Sequence, residues 1–222
     1  MIKFDFITIF PEIINPYFEE SLFKKARAKK LLSVHVHNLR DFAEDKHCTV
    51  DDKPFGGGLG MVMSVQPWYK AVKKIRKLTD KTLIAKLSPN VTDICEIGIA
   101  AEKAGADILC AGNTFKGVYY DWQLERFYTG GVSGSMIFPM ACKNVFELYK
   151  KVSIPIIGLG GINSEKKAIE MVFAGASIVG LGTHLVIMPD LPAKIYRFFI
   201  EYLKQSKKSK ISSIVGIKNE KE

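Results

Sequence analysis

The stretch 154–162, IPIIGLGGI, is the clearest indication of the fold class, because a short apolar run passes directly into a glycine-rich loop. A second stretch of the same form, SIVGLGT, follows at 177–183. The residues between them, 164–174, have a helical pattern of apolar positions. Strands that alternate with helices indicate a parallel sheet with helical crossovers. We therefore predict an α/β protein.

The same alternation extends from these two stretches toward the N-terminus. Four strand–helix pairs in a row predict a mostly parallel sheet of βα units, which is half of a TIM-like barrel. The strands are continuously apolar, which predicts that both faces of the sheet are covered. The predicted strands lie at 82–87, 107–111, 155–159 and 177–181, the helices at 93–104, 139–151, 164–174 and 190–204, and a long loop follows the second strand.

The first 80 residues are predicted to add two strands that close or extend this sheet. The strands are expected at 2–10 and 33–37, and the helical regions at 12–30 and 66–78. Half a barrel exposes strand edges, so this fold is compatible with a homodimer. We expect about six strands with right-handed crossovers.

Composition excludes several classes of protein. The chain has 222 residues, of which 47% are hydrophobic and 25% charged, as in ordinary globular proteins and unlike disordered or collagen-like chains. Its net charge of +9 permits a polyanionic partner. The four cysteines (Cys48, Cys95, Cys110 and Cys142) have no zinc-ligand spacing and are expected to be reduced thiols, with no metal site. No membrane-length apolar run or signal peptide is present, so we expect a cytoplasmic protein.

Three glycine-rich loops, at 129–134, 158–162 and 180–183, follow predicted strands. Glycine lets a backbone approach a ligand closely, and helix N-termini attract phosphate. In βα barrels the loops after the last two strands often form a phosphate site. The loops therefore favour a phosphate site, the alternative being tight turns without a ligand.

Lys86 lies near the end of an apolar strand, where a lysine usually needs a partner. A bound anion or a flavin ring edge would be such a partner, and the alternative is a lysine whose ammonium reaches solvent at the strand end. Asn113 and Thr114 follow the next strand and could hydrogen-bond a polar ligand.

Residues 81–216 resemble the C-terminal half of a class 1 dihydroorotate dehydrogenase, nearest to the 1B type. The resemblance rests on the runs KLSPNVTDI at 86–94, TGGVSG at 129–134 and IPIIGLGGI at 154–162. It implies a βα barrel that holds FMN, with Lys86 against the flavin and Asn113 and Thr114 against the substrate. It also implies that the FMN phosphate end is held by Gly134, Gly160, Gly161, Gly182 and Thr183.

The sequence departs from that family in ways that bear on catalysis. The first half of the barrel is not recognisable, and with it the family's active-site lysine and its cysteine base. No cysteine here has a matching context, so the catalytic residues stay unassigned. Binding of FMN and turnover of dihydroorotate are therefore separate questions.

Residues 1–77 resemble the N-terminal part of bacterial tRNA (guanine-N1)-methyltransferase, a knotted α/β enzyme. The resemblance rests on FDFITIFPE at 4–12, HNLRDF at 37–42 and PFGGGLGMVM at 54–63. It implies S-adenosylmethionine as cofactor, tRNA as partner and a dimer. It also implies an RNA-contact loop, for which a solvated loop is the alternative. The glycines of that loop are Gly56, Gly57, Gly58 and Gly60.

The chain therefore resembles a chimera of two half-enzymes joined near 78–81. The expected organisation is a methyltransferase-like segment at 1–80, an FMN-binding half-barrel at 81–204 and a basic tail at 205–222. Three functions stay open at this point: an FMN-binding protein related to dihydroorotate dehydrogenase, a tRNA methyltransferase-like protein, and an α/β scaffold without activity.

Overall fold

The computed structural model describes residues 1–8, 10–42, 51–52, 62–63, 65–77 and 79–216. The chain divides into two compact units, Met1–Ile75 and Arg76–Glu222. The described residues form ten strands in four sheets. The α/β class and the mostly parallel pairing are confirmed, since the two-stranded N-terminal sheet and the four-stranded sheet are both parallel.

The N-terminal unit begins with a β–helix–helix–β arrangement. Strand β1 (Ile2–Thr8) pairs in parallel with β2 (Leu32–Asn38), and two helices, α1 (Pro11–Glu19) and α2 (Ser21–Ala28), connect them. Pro11 opens α1, a position at which the missing N–H costs nothing. These two strands form a sheet of their own, so the prediction that they close or extend the larger sheet was wrong.

Two further strands and a helix follow in chain order. Strand β3 (Asp51–Asp52) pairs antiparallel with β4 (Val62–Met63), and helix α3 spans Val65–Arg76. The four glycines of the predicted RNA-contact loop, Gly56, Gly57, Gly58 and Gly60, lie outside the described residues, as does Cys48.

The C-terminal unit contains the regular βα alternation that the sequence predicts. Its sheet has the order β10-β9-β6-β5 and all its strands are parallel. The elements in chain order are β5 (Ile84–Leu87), α4 (Ile94–Ala104), β6 (Ile108–Ala111), β7 (Phe115–Asp121), β8 (Arg126–Val132), α5 (Phe138–Tyr149), β9 (Ile156–Leu159), α6 (Glu165–Ala174), β10 (Ile178–Gly180), α7 (Thr183–Ile187) and α8 (Leu191–Gln205).

The long loop predicted after β6 is instead a β-hairpin. Strands β7 and β8 pair antiparallel from Phe115↔Val132 to Asp121↔Arg126. Most of the hairpin's side chains are exposed, among them Val118 and Tyr119. Strands are normally predicted from an alternation of apolar and polar residues, which arises when one face of the sheet is buried. Neither face of this hairpin is buried, so its strands were not predicted.

Helices α4, α5 and α6 cover one face of the four-stranded sheet. Neighbouring helices pack against each other, and the sheet residues beneath them, Leu87, Leu109 and Ile156, are at most 1% exposed. We call the opposite side the inner face. On its two edge strands Ile84 is 50% exposed and Ile178 is 49% exposed. The prediction that both faces are covered was therefore wrong for this unit.

Arg76 forms hydrogen bonds with both chain segments that lead into β5 and β6. Its Nη1 donates to Asp107 Oδ2 over 2.7 Å, and its Nη2 donates to the carbonyl oxygens of Thr79 and Lys81. The backbone N–H of Leu83 donates to the same Asp107 oxygen over 2.7 Å. The hydrogen bond from Leu83, with help from the Arg76 guanidinium, lowers the pKa of Asp107.

We expect Asp107→Asn to lower the free energy of unfolding at pH 7 by at most about 1 kcal/mol, because the Asp107 side chain is 43% exposed and solvent screens the pair. A lowered folded-state pKa contributes stability above the unfolded-state value, near 3.9, and this contribution is lost as the pH falls through the folded-state pKa. Urea unfolding at pH 7, 5 and 3 should show the difference between the two proteins shrinking toward acid. Asp80→Asn, an exposed site with the same charge change, is the control. A difference that is constant with pH would contradict this account.

Candidate functional site

The carboxyl ends of β5, β6, β9 and β10 meet at one edge of the sheet, because the four strands are parallel. This edge brings together segments that lie far apart in the sequence, and in open α/β sheets and barrels such edges bind ligands. The predicted site residues at or next to these strand ends are Lys86, Asn113, Thr114, Gly160, Gly161, Gly182 and Thr183.

Two glycines in the loop after β9 have left-handed backbone conformations. Gly160 has φ +129° and Gly161 has φ +71°, which side-chain-bearing residues rarely adopt. A Cβ atom at Gly161 would lie 2.5 Å from the backbone nitrogen of Phe138. The loop after β9 therefore lies directly against the start of α5, and no larger residue than glycine fits there.

Gly134 and Gly182 differ from these two because they line open space. Nothing lies within 4 Å of a Cβ added at either position. Gly134 has φ +86° and accepts a hydrogen bond from the backbone N–H of Ile137. Open space beside glycine backbone is what a bound phosphate group requires.

A hydroxyl pair joins the loop after β8 to the loop after β10. Thr183 Oγ1 donates to Ser133 Oγ over 3.0 Å, although the two residues are 50 positions apart. Ser133 was not among the predicted site residues. The hydroxyl within the run GGVSG was the available signal, since a hydroxyl in a glycine-rich loop can bind phosphate.

Lys86 points from β5 on the inner face and is exposed. Its Nζ donates to the carbonyl oxygen of Gly112 over 2.9 Å. Of the two readings that the sequence left open, the exposed side chain matches a lysine that reaches solvent at the strand end, and a backbone carbonyl is its partner. The ammonium stays available to a second acceptor at this edge, because it carries three donors.

Cys110 pairs with Lys86 in the strand register and lies beside it on the inner face. Burial raises the pKa of the Cys110 thiol, and the Lys86 ammonium only partly opposes this rise. The thiol is therefore protonated near neutral pH and is not suited to remove a proton. Cys95, Cys110 and Cys142 are all free thiols.

Asn113 and Thr114 form a local turn in which Asn113 Oδ1 accepts from the Thr114 backbone N–H over 2.8 Å. Both side chains are exposed at the sheet edge. Asn90 fixes this turn from the loop after β5, since its Nδ2 donates to the Thr114 carbonyl oxygen and its Oδ1 accepts from the Lys116 backbone N–H. The role of Asn90 was not predicted, and only its place after a strand, in Ser-Pro-Asn, could have suggested it.

The N-terminal unit carries a separate group of polar side chains. Asp5 Oδ1 lies 3.0 Å from His37 Nε2 and 3.3 Å from His35 Nδ1, across the β1–β2 pair. Within the part of the chain that the structure describes, no group of three or more acidic, histidine or cysteine side chains could hold a metal ion. No helix among the same residues combines the length and the apolar character that crossing a bilayer demands.

Two family profiles match the chain. Residues 58–203 match dihydroorotate dehydrogenase, and residues 2–107 match tRNA (guanine-1)-methyltransferase. The two matches overlap over 58–107, and the join expected from the sequence, near 78–81, lies within that overlap. The double resemblance is thus confirmed, and it is consistent with a chimera.

Curated relatives extend the first match. Similar proteins include the catalytic subunits named dihydroorotate dehydrogenase B (NAD(+)) of Carboxydothermus hydrogenoformans, Brachyspira hyodysenteriae and Pyrococcus horikoshii. Their identities to this chain are 40%, 42% and 41% over 165, 157 and 171 residues. These alignments cover 72%, 69% and 74% of this chain, and 54%, 51% and 56% of the relatives. The chain therefore spans about half the length of the curated relatives it matches.

Proposed function

Because the chain belongs to the dihydroorotate dehydrogenase family through residues 58–203, we propose that it is an FMN-binding flavoprotein whose site lies at the carboxyl edge of the parallel sheet. The proposal is supported by one observation: the glycine loops meet at that edge and leave open space at Gly134 and Gly182. The reaction proposed for the complete site is oxidation of dihydroorotate to orotate.

The residues at this edge fit a flavin phosphate. Gly134 and Gly182 leave room for an anion, and Thr183 and Ser133 supply two hydroxyl groups 3.0 Å apart. Gly160 and Gly161 let the loop after β9 approach the same place. Thr183 and the backbone N–H groups of these glycines would hold the phosphate by hydrogen bonds, which are strong when the acceptor is charged.

Lys86 and the Asn113–Thr114 turn would act on the rest of the ligand. The Lys86 ammonium, held by the Gly112 carbonyl oxygen, would place a positive charge beside the flavin ring. Asn113 and Thr114, held by Asn90, would hydrogen-bond a polar substrate. When bound, FMN supplies the hydride chemistry, and the protein supplies orientation and charge. We assign no catalytic base, since the Cys110 thiol is protonated and lies beneath the edge.

The test is the visible absorption spectrum of the purified protein after FMN is added and unbound FMN is removed by desalting. We expect retained flavin bands. Lys86→Ala should weaken FMN binding by about tenfold, the loss expected from one charged hydrogen bond. Lys103→Ala removes the same charge from the last turn of α4, at the opposite edge of the sheet, and should leave binding unchanged.

A folded protein that retains no FMN would refute this proposal. Equal losses in Lys86→Ala and Lys103→Ala would show that net charge, rather than a built site, attracts the flavin. Circular dichroism of each variant separates loss of binding from loss of folding. If FMN is retained, dihydroorotate oxidation is assayed next, and this assay tests turnover separately from binding.

A second candidate function is supported by the match of residues 2–107 to tRNA (guanine-1)-methyltransferase. Basic side chains of α2, Lys24 and Arg27, line a shallow cavity with Phe18 and Glu19. Cationic side chains on a surface helix are suited to RNA phosphates. Salt-dependent tRNA binding together with affinity for S-adenosylmethionine would favour this function, and FMN retention alone would disfavour it.

A further inference from the structure

Within the described residues of the C-terminal unit, nothing covers the inner face of the four-stranded sheet, which is apolar apart from Lys86 near the carboxyl end of β5. All-parallel sheets are normally covered on both faces. Here α4, α5 and α6 cover only one, and Ile84 and Ile178 on the inner face are about half exposed. The exposed pair lies on the two edge strands, β5 and β10.

The same two strands also have free edges. Among the described residues, no strand pairs with the outer side of β5 or of β10. Unpaired N–H and C=O groups along an edge are a template for another strand. A partner that covers this unit must therefore hydrogen-bond to two strand edges and also bury an apolar face.

The strand order shows which occupant meets both requirements. The strands lie side by side in chain order, β5, β6, β9 and β10, with their helices on one face. Repeated βα units of this kind close into a barrel of eight parallel strands, and this sheet supplies four. A helix placed on the inner face would bury Ile84 and Ile178 but would leave both edges unpaired.

We propose that a second copy of this chain occupies the inner face, and that two half-barrels form one closed barrel of eight strands. In this dimer β5 of each copy pairs in parallel with β10 of the other, and the two-fold axis runs along the barrel. Ile84 and Ile178 become part of the barrel interior, where apolar side chains pack in layers. One self-complementary interface satisfies both edges, as two-fold symmetry requires.

The proposed closure also changes the candidate site. A two-fold axis along the barrel keeps all eight strands parallel, so the carboxyl edges of both copies form one rim. The loop after β10, with Gly182 and Thr183, then lies next to the end of β5 of the second copy. Each candidate site thus has residues of the second copy along one side, which a single chain does not provide.

The first measurement is the mass of the full chain in solution by sedimentation velocity over a range of concentrations. We expect a species of twice the chain mass of 24.8 kDa. The second measurement is hydrogen exchange at high and at low protein concentration. Amides of β5 and β10 should be protected in the dimer and should lose protection on dilution.

A matched pair of substitutions tests the assignment of the face. Ile178→Lys places an ammonium group in the proposed barrel interior and should raise the dimer dissociation constant at least about tenfold. Tyr196→Lys changes a similarly exposed apolar side chain, 67% exposed, on α8 instead of the sheet. It should leave the dimer intact.

A monomer at all concentrations would overturn the proposal. A dimer in which exchange of the β5 and β10 amides does not depend on concentration would also overturn it, since the interface would then lie elsewhere. The exchange experiment uses the unchanged protein, so the test stands even if Ile178→Lys does not fold.

Discussion

Gly112→Ala is expected to destabilise the protein by about 3 kcal/mol or more, at the upper end of the range for an overpacked site. A Cβ at this position would lie 2.0 Å from the carbonyl oxygen of Leu159. This atom belongs to the backbone of the neighbouring strand β9, so no side-chain rotation can remove the overlap. The ends of β6 and β9 must separate, and the Gly112 carbonyl that accepts from Lys86 moves with them. Urea unfolding monitored by circular dichroism measures the loss.

Gly130→Ala is the matched control for Gly112→Ala. Gly130 lies in β8, and nothing is found within 4 Å of a Cβ added there. The added methyl group should change the free energy of unfolding by no more than about 0.5 kcal/mol, as is usual for surface substitutions. Equal effects at the two positions would show that the close approach to Leu159 does not set the cost.

Gly182→Asp is expected to reduce FMN affinity by about 100-fold or more, since placing a carboxylate next to a phosphate of the same charge costs several kcal/mol. Gly182 lies in open space at the start of α7, so the side chain enters the proposed phosphate position and not the protein interior. Titration of FMN followed by flavin fluorescence gives the affinity. The result depends on the proposed function and tests the phosphate end of the site separately from Lys86.

Gly182→Asn is the control that isolates charge at this position. Asparagine and aspartate have nearly the same size and make the same change to the backbone, so the difference between the two variants measures repulsion. If both variants bind FMN as the unchanged protein does, the phosphate does not lie at Gly182. If both lose FMN equally, space and not charge limits binding at this edge.

The βα alternation of the C-terminal unit was predictable because each apolar run is bounded by its own turn signals. Strands β5, β6, β9 and β10 fall within the predicted ranges, each shorter by one or two residues at its ends. The short helix α7 was not predicted. The exposed hairpin β7–β8 was also missed, since apolar side chains such as Tyr119 lie in solvent and the run shows no half-buried pattern.

The candidate site was partly predictable for the same reason. Parallel strands end at one edge, so residues that follow them, such as Lys86, Asn113 and Gly160, could be placed together from their spacing alone. Contacts across the loops could not be predicted in this way. Ser133 and Thr183, or Asn90 and Thr114, are related only through the path of the chain in space.

Local patterns and ordered motifs were enough to predict the parallel α/β class, the glycine-rich strand ends and the resemblance to two enzyme families. The separate β1–β2 sheet, the close approach of Gly112 to Leu159 and the half-exposed Ile84 and Ile178 on one face of the main sheet are known only from the three-dimensional structure. An apolar strand has the same sequence whether its second face packs against the same chain or against another. Burial depends on which surfaces meet, and this is a property of the folded chain.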